Sequence, residues 1–159
     1  MSATVKVEGI GEGVALAVGR DVKFTKSTIA PDRGVRWIYA IYEVTPVADP
    51  TGRRPMVIKA SLELLGSLAG SLVGLPKEEV TRHLMNAPLE ELMRDAIYEI
   101  LNVASGVIAN NSRAVLIGMS VASDDVKGDA ALVLTSPAYR ADFNVVVQDY
   151  SGGQFVVMG

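Results

Sequence analysis

Along this chain the apolar positions switch between alternating and three-to-four spacing, and glycines and prolines mark most of the switches. After a polar start, Gly9-Ile-Gly-Glu-Gly13 leads into Val14-Ala-Leu-Ala-Val18, which predicts one or two turns of helix weakened by glycine. Val22 to Thr28 and Val35 to Thr45 read as strands, the second rich in β-branched and aromatic residues, with Pro31-Asp-Arg-Gly34 as the turn between them. Pro46 to Pro55 has loop chemistry, with Asp49-Pro50 and Gly52 inside it, and Met56 to Ala60 is a further short strand. These three strands are expected to pair as an antiparallel meander.

From Ser61 the period lengthens. Leu62, Leu65, Leu68, Ala69, Leu72 and Val73 share one side of a helix that Pro76 stops, with Gly66 and Gly70 on the other side. Leu75 to Ala87 reads as a linker. A second helix spans Pro88 to Ala109, with Pro88 suited to its first turn, Glu90 and Glu91 to the positive end of its dipole, and Asn110-Asn111 closing it. Four strands follow, Ala114 to Ala122, Ala130 to Thr135, Ala141 to Gln148 and Gln154 to Met158, separated by Asp124-Asp125, Ser136-Pro137 and Gly152-Gly153. Strands, two helices and strands again predict one α+β domain over residues 1–159, an antiparallel sheet packed against two main helices.

Composition narrows the chemistry. The formal net charge is -3, with 15 basic and 18 acidic residues and no long run of either sign, so a phosphate-backbone binder is not expected. With no cysteine there is no disulfide framework, thiolate zinc site or cysteine nucleophile, and any serine-histidine arrangement would need His83. The opening Met1-Ser-Ala-Thr-Val-Lys6 lacks a basic segment followed by an apolar one, so the expected compartment is the cytoplasm. Apolar runs such as Val14 to Val18 and Ile38 to Tyr42 fall far short of the ~20 residues that cross a bilayer, so no membrane association is expected.

The second helix has an informative outer face. At about 100° per residue, Leu89, Met93, Ile97, Ile100, Ala104, Val107 and Ile108 share one broad apolar arc. Opposite them, Glu99 lies about 40° to one side of Asp95 and Asn102 about 20° to the other, with Gly106 near the middle and Glu91 on the same stripe. Glu99 and Asn102, three apart, are surface neighbours. Asn and Gly are poor interior helix formers, Gly costing up to about 1 kcal/mol against Ala, so stability alone would not select them here.

The stretch Asp95-Ala-Ile-Tyr-Glu99-Ile-Leu-Asn102-Val-Ala-Ser-Gly106 resembles the D/S-x-x-x-E-x-x-N pattern of the CheC/CheX/FliY family of chemotaxis phosphatases, with a glycine four residues past the asparagine. The order from Met56 onward, strand, helix, linker, E-x-x-N helix and closing strands, is similar to that family's and covers roughly the last two-thirds of the chain. Neither Gly9 to Val18 nor Ser61 to Gly74 holds a second E-x-x-N, so the resemblance is to CheX-like members with one centre. The chain departs from the family in its weak N-terminal helix and in Val-Ile-Ala after Gly106. The resemblance implies hydrolysis of the aspartyl phosphate of a CheY-like response regulator. On that basis Asn102 would orient the attacking water and Glu99 would pair with the regulator's lysine, with Asp95 and Gly106 supporting. Any Mg²⁺ would be supplied by the regulator, leaving this chain without a cofactor or metal of its own, and a homodimer is expected, with Ala141 to Gln148 or Gln154 to Met158 offering an edge.

A non-catalytic binding module on the same fold is the alternative, and a small-molecule binder using a cleft between helices and sheet is a third. The remaining features carry blander expectations. His83 reads as an exposed linker residue, Gly66-Ser-Leu-Ala-Gly70 as close helix packing, and Arg53-Arg54 as a solvated turn. Asp124, Asp125 and Asp129 read as turn residues, and Gly9-Ile-Gly-Glu-Gly13 does not match a dinucleotide-binding loop.

Overall fold

A computed structural model of the chain describes residues 10–28, 34–85, 89–108 and 112–159. In chain order the elements are α1 (Ile10–Val18), β1 (Val22–Lys26), β2 (Trp37–Pro46), β3 (Arg54–Ser61), α2 (Leu62–Val73), α3 (Lys77–Met85), α4 (Glu91–Ile108), β4 (Ser112–Ser120), α5 (Gly128–Thr135), β5 (Arg140–Val147) and β6 (Gly153–Met158). The expected turn at Pro31 to Arg33, and Pro88 and Ala109 to Asn111 at the ends of the second helix, lie outside the described residues.

The strands form one sheet in the order β1-β5-β6-β3-β2-β4, with every neighbouring pair antiparallel. The expected meander is only half present. β2 and β3 pair as neighbours, from Trp37 opposite Ser61 to Val44 opposite Arg54, but β1 crosses to the far edge, where Val22 faces Val147. β5 and β6 are interior strands, so the edge expected at Ala141 to Gln148 or Gln154 to Met158 is already paired on both sides. A homodimer formed by sheet pairing would have to use β1 or β4. On β4, Ile117 is the extra residue of a bulge, because Ile41 faces Gly118 while Tyr42 faces Leu116.

Strand alternation sends Ile38, Ala40, Tyr42, Ile58, Phe143, Val145, Phe155 and Val157 to one face, where α1, α2 and α4 cover them and α3 packs on α2. The other face carries a smaller cluster of Trp37, Tyr39, Val57, Val156 and Met158 under Val126 and Ala130. Ala130 belongs to α5, which corrects the strand expected at Ala130 to Thr135. A short apolar run has no period of its own to separate strand from helix, and here Ala130, Val133 and Leu134 turn toward the sheet while Leu132 stays 65% exposed, a helical distribution. The expected linker is likewise a helix, α3. Among the described residues no helix is long and apolar enough to cross a membrane.

The β3-to-α2 junction shows how local chemistry places the helices. The Ser61 hydroxyl accepts from the Leu64 N–H at 3.4 Å as the N-cap of α2 and also from the Gln154 N–H at 3.1 Å, tying the helix start to β6. Gly74 ends α2 in the left-handed conformation, φ 79°. α3 then lies back on α2 at its two glycines. A Cβ on Gly66 would come 2.7 Å from Leu84 Cδ1, and one on Gly70 would overlap Val80 Cγ2. The close-packing expectation for these glycines therefore holds.

Candidate functional site

α4 is the longest helix described, and its burial follows a 3.6-residue period. Met93, Ala96, Ile97, Ile100, Leu101 and Ala104 are buried against the sheet and α2. Glu91, Asp95, Glu99, Asn102 and Gly106 are all exposed on the opposite side. Among the described residues, the side chains of Asp95, Glu99 and Asn102 take part in no ion pair or hydrogen bond. An added Cβ at Gly106 would meet nothing within 4 Å. Nothing inside the molecule therefore calls for these residue types at these positions.

The backbone beneath the stripe is held from both sides. The Tyr42 hydroxyl, fully buried on β2, donates to the Leu101 carbonyl at 2.7 Å, and that carbonyl belongs to the peptide leading into Asn102. Burial, and secondarily the neighbouring Tyr98 hydroxyl, push the Tyr42 phenol far above its ordinary value, so it stays protonated and remains a donor. One turn on, the Ser105 hydroxyl donates to the Asn102 carbonyl at 2.6 Å. A rigid helix with fixed backbone contacts is a precise platform for a side chain that must hold another molecule in line.

Three features escaped sequence reasoning. Tyr42 looked like one more aromatic strand residue, and only the fold carries it to α4. Leu92 and Tyr98 stand exposed beside the stripe, at 54% and 40%. Helical spacing puts both outside the buried arc, and an apolar residue there is the signal that was available. His83, expected as an exposed linker residue, is instead a half-buried residue of α3. Its Nδ1 lies 3.2 Å from Glu90 Oε2, just before α4, without a hydrogen bond between them. Arg53 is exposed and lies 3.8 Å from Glu43, whereas Arg54 opens β3. Asp125 closes a 3₁₀ turn, and Asp129 lies in the first turn of α5. Among the described residues, no three His, Asp or Glu side chains are grouped to hold a metal ion.

By structure the chain is similar to the FliM middle domain of H. pylori, with a TM-score of 0.66 and 8% identity over 95% of this chain and 83% of that one. It is similar to Thermotoga maritima FliY at a TM-score of 0.64 and 12% identity, covering 95% of this chain and 82% of that one. A third likeness is to the chemotaxis protein CheX of Vibrio vulnificus, at a TM-score of 0.58 and 12% identity, over 95% and 93% of the two chains. No protein-family model matches the sequence, and no curated protein does. The chain therefore has the CheC/CheX/FliY-type fold, and at these identities the likeness is one of fold.

Proposed function

We propose that this chain is a CheX-like phosphatase acting on the aspartyl phosphate of a CheY-like response regulator in the cytoplasm. The observation that carries the reading is the pair Glu99 and Asn102. They are neighbours on the exposed face of α4, unpartnered among the described residues, on a fold shared with CheX of Vibrio vulnificus. Phosphoryl transfer needs positioning and electrostatic stabilisation more than covalent help from the protein. In this reading the Asn102 carboxamide holds a water in line with the phosphorus. The water oxygen bonds to phosphorus as the bond to the aspartyl oxygen breaks, releasing a carboxylate and inorganic phosphate. A neutral amide does this without repelling the anion, whereas a carboxylate at the same place would oppose it. Glu99 pairs with a cationic side chain of the regulator and sets the distance. Asp95 supports that pairing from the preceding turn, and Gly106 leaves room for the partner's backbone. Mg²⁺ belongs to the regulator.

The test mixes purified protein with several phosphorylated receiver domains and follows phosphate loss, with Asn102→Ala and Glu99→Ala as controls. Accelerated loss that both substitutions abolish supports the reading, and an unchanged phosphate lifetime overturns it. The same exposed face of α4 would also serve a second reading, a binding module that recognises a regulator without hydrolysis. Protein that binds receivers but leaves the phosphate lifetime unchanged would favour it.

A further inference from the structure

The stripe on α4 is bordered by apolar surface for which the proposed chemistry has no use. At about 100° per residue, Leu92 lies about 60° to one side of Asp95 and Tyr98 about 60° to the other, so the two bracket the stripe. Leu92 is 54% exposed and Tyr98 40% exposed. Between them run the carboxylates of Glu91, Asp95 and Glu99, none of which has an ion-pair partner among the described residues. Arg94, the cation of the same helix, lies farther round, about 100° from Asp95, and forms no ion pair with them.

We propose that Leu92 and Tyr98 are the apolar rim of a docking surface for a folded protein domain that presents a cationic group inside an apolar collar. This inference rests on the phosphatase reading and names how the receiver is gripped. Charge complementarity selects the partner. Glu91, Asp95 and Glu99, without an ion-pair partner among the described residues, give the face a negative potential that complements a cation on the partner. Shape selects it too. The described clefts are lined by residues of other elements, and the convex outer face of a helix suits a protein surface better than a small molecule. The two apolar side chains exclude water from the charge pair once the surfaces meet, which strengthens the pair and places its energy at the centre of the contact.

The test measures binding of beryllofluoride-loaded receiver domains to wild-type protein, Leu92→Ala, Tyr98→Ala and Leu132→Ala, alongside kcat and KM for hydrolysis of the phosphorylated domains. Leu92→Ala and Tyr98→Ala are each expected to raise Kd and KM roughly tenfold with kcat preserved. Asn102→Ala is expected to lower kcat with Kd little changed. Leu132, 65% exposed on α5 across the sheet, is the control and its removal leaves Kd unchanged. Melting temperatures establish that each variant is folded, and Leu92, exposed on the helix surface, keeps the test usable should Tyr98→Ala unfold. Unchanged Kd in folded Leu92→Ala and Tyr98→Ala overturns the proposal, as does an equal loss in Leu132→Ala or a wild-type protein that binds none of the domains. Wild-type protein that binds and releases no phosphate removes the phosphatase reading alone, and the Kd values then judge the docking surface by themselves.

Discussion

α2 and α4 pack against each other, and both carry glycine where helix propensity alone would favour alanine. Their glycines have opposite explanations. On α2, Gly66 and Gly70 are buried, and a Cβ at either would run into Leu84 or Val80 of α3. The fold itself requires them. On α4, Gly106 is exposed and a Cβ there would touch nothing. Asn102, one turn earlier on the same stripe, is also a poor helix former without a partner among the described residues. A residue that costs stability and serves no contact inside the molecule points outside it. The comparison separates a helix built to be covered by its own chain from one whose outer face is left for something else.

The largest effect should come at that outer face. Asn102→Ala is expected to slow receiver dephosphorylation about 10²- to 10³-fold, the range seen when one positioned polar group is removed from a transition state. Its melting temperature should match or slightly exceed wild type. A single-turnover assay paired with thermal unfolding checks both halves. A folded variant with unchanged rate would break the comparison, since α4 would then carry an asparagine with neither an internal nor an external purpose.

On α2 the cost falls on stability. Gly70→Ala drives a methyl into Val80, and overpacking of this kind costs about 1–3 kcal/mol against a helix-propensity gain of up to about 1. Chemical denaturation should show a net loss of up to about 2 kcal/mol once the full propensity gain is subtracted. The variant should retain whatever dephosphorylation rate the folded fraction supports.

Tyr42 links core to surface, so it tests how separate the two are. Tyr42→Phe keeps the ring and removes the donor to the Leu101 carbonyl, for an expected loss of about 1 kcal/mol. Its signature is a pH dependence. The folded-state pKa is raised above the ordinary 10.0, so the folded protein keeps a proton that the unfolded chain gives up. The contribution is fully present below pH 10 and declines above it by about 1.4 kcal/mol per pH unit. Alkaline unfolding of Tyr42→Phe should be shallower by that one proton.

Legibility follows the range of the interactions. α4 was readable because its apolar arc repeats over five turns, and the same period exposed Asp95, Glu99 and Asn102. α3 was not, since only Val80 and Leu84 are buried and two positions make no pattern. Ala130 to Thr135, too short to show a period, reads as a strand in the sequence and lies in α5 in the fold. The place of β1 depends on Val22 meeting Val147, and the Tyr42 contact spans 59 positions. Such pairings are properties of the fold, and no local spacing encodes them. The pair Glu99 and Asn102 was legible for the opposite reason, being three apart on one helix.

The smallest effect is the sharpest test. Gly106→Ala adds a methyl in open space on a helix, so it should stabilise the protein, by up to about 1 kcal/mol and less this close to the C-terminal end. The same methyl on α2 does the reverse, because Val80 stands where it would go. If the outer face of α4 receives a partner's backbone, the added methyl holds that backbone off and KM for the phosphorylated receiver rises while the free protein melts higher. Stability and activity would then move in opposite directions from a single carbon atom. A variant that gains stability and keeps its KM would show Gly106 to be an accident of the sequence, confining the external role of the stripe to Glu99 and Asn102.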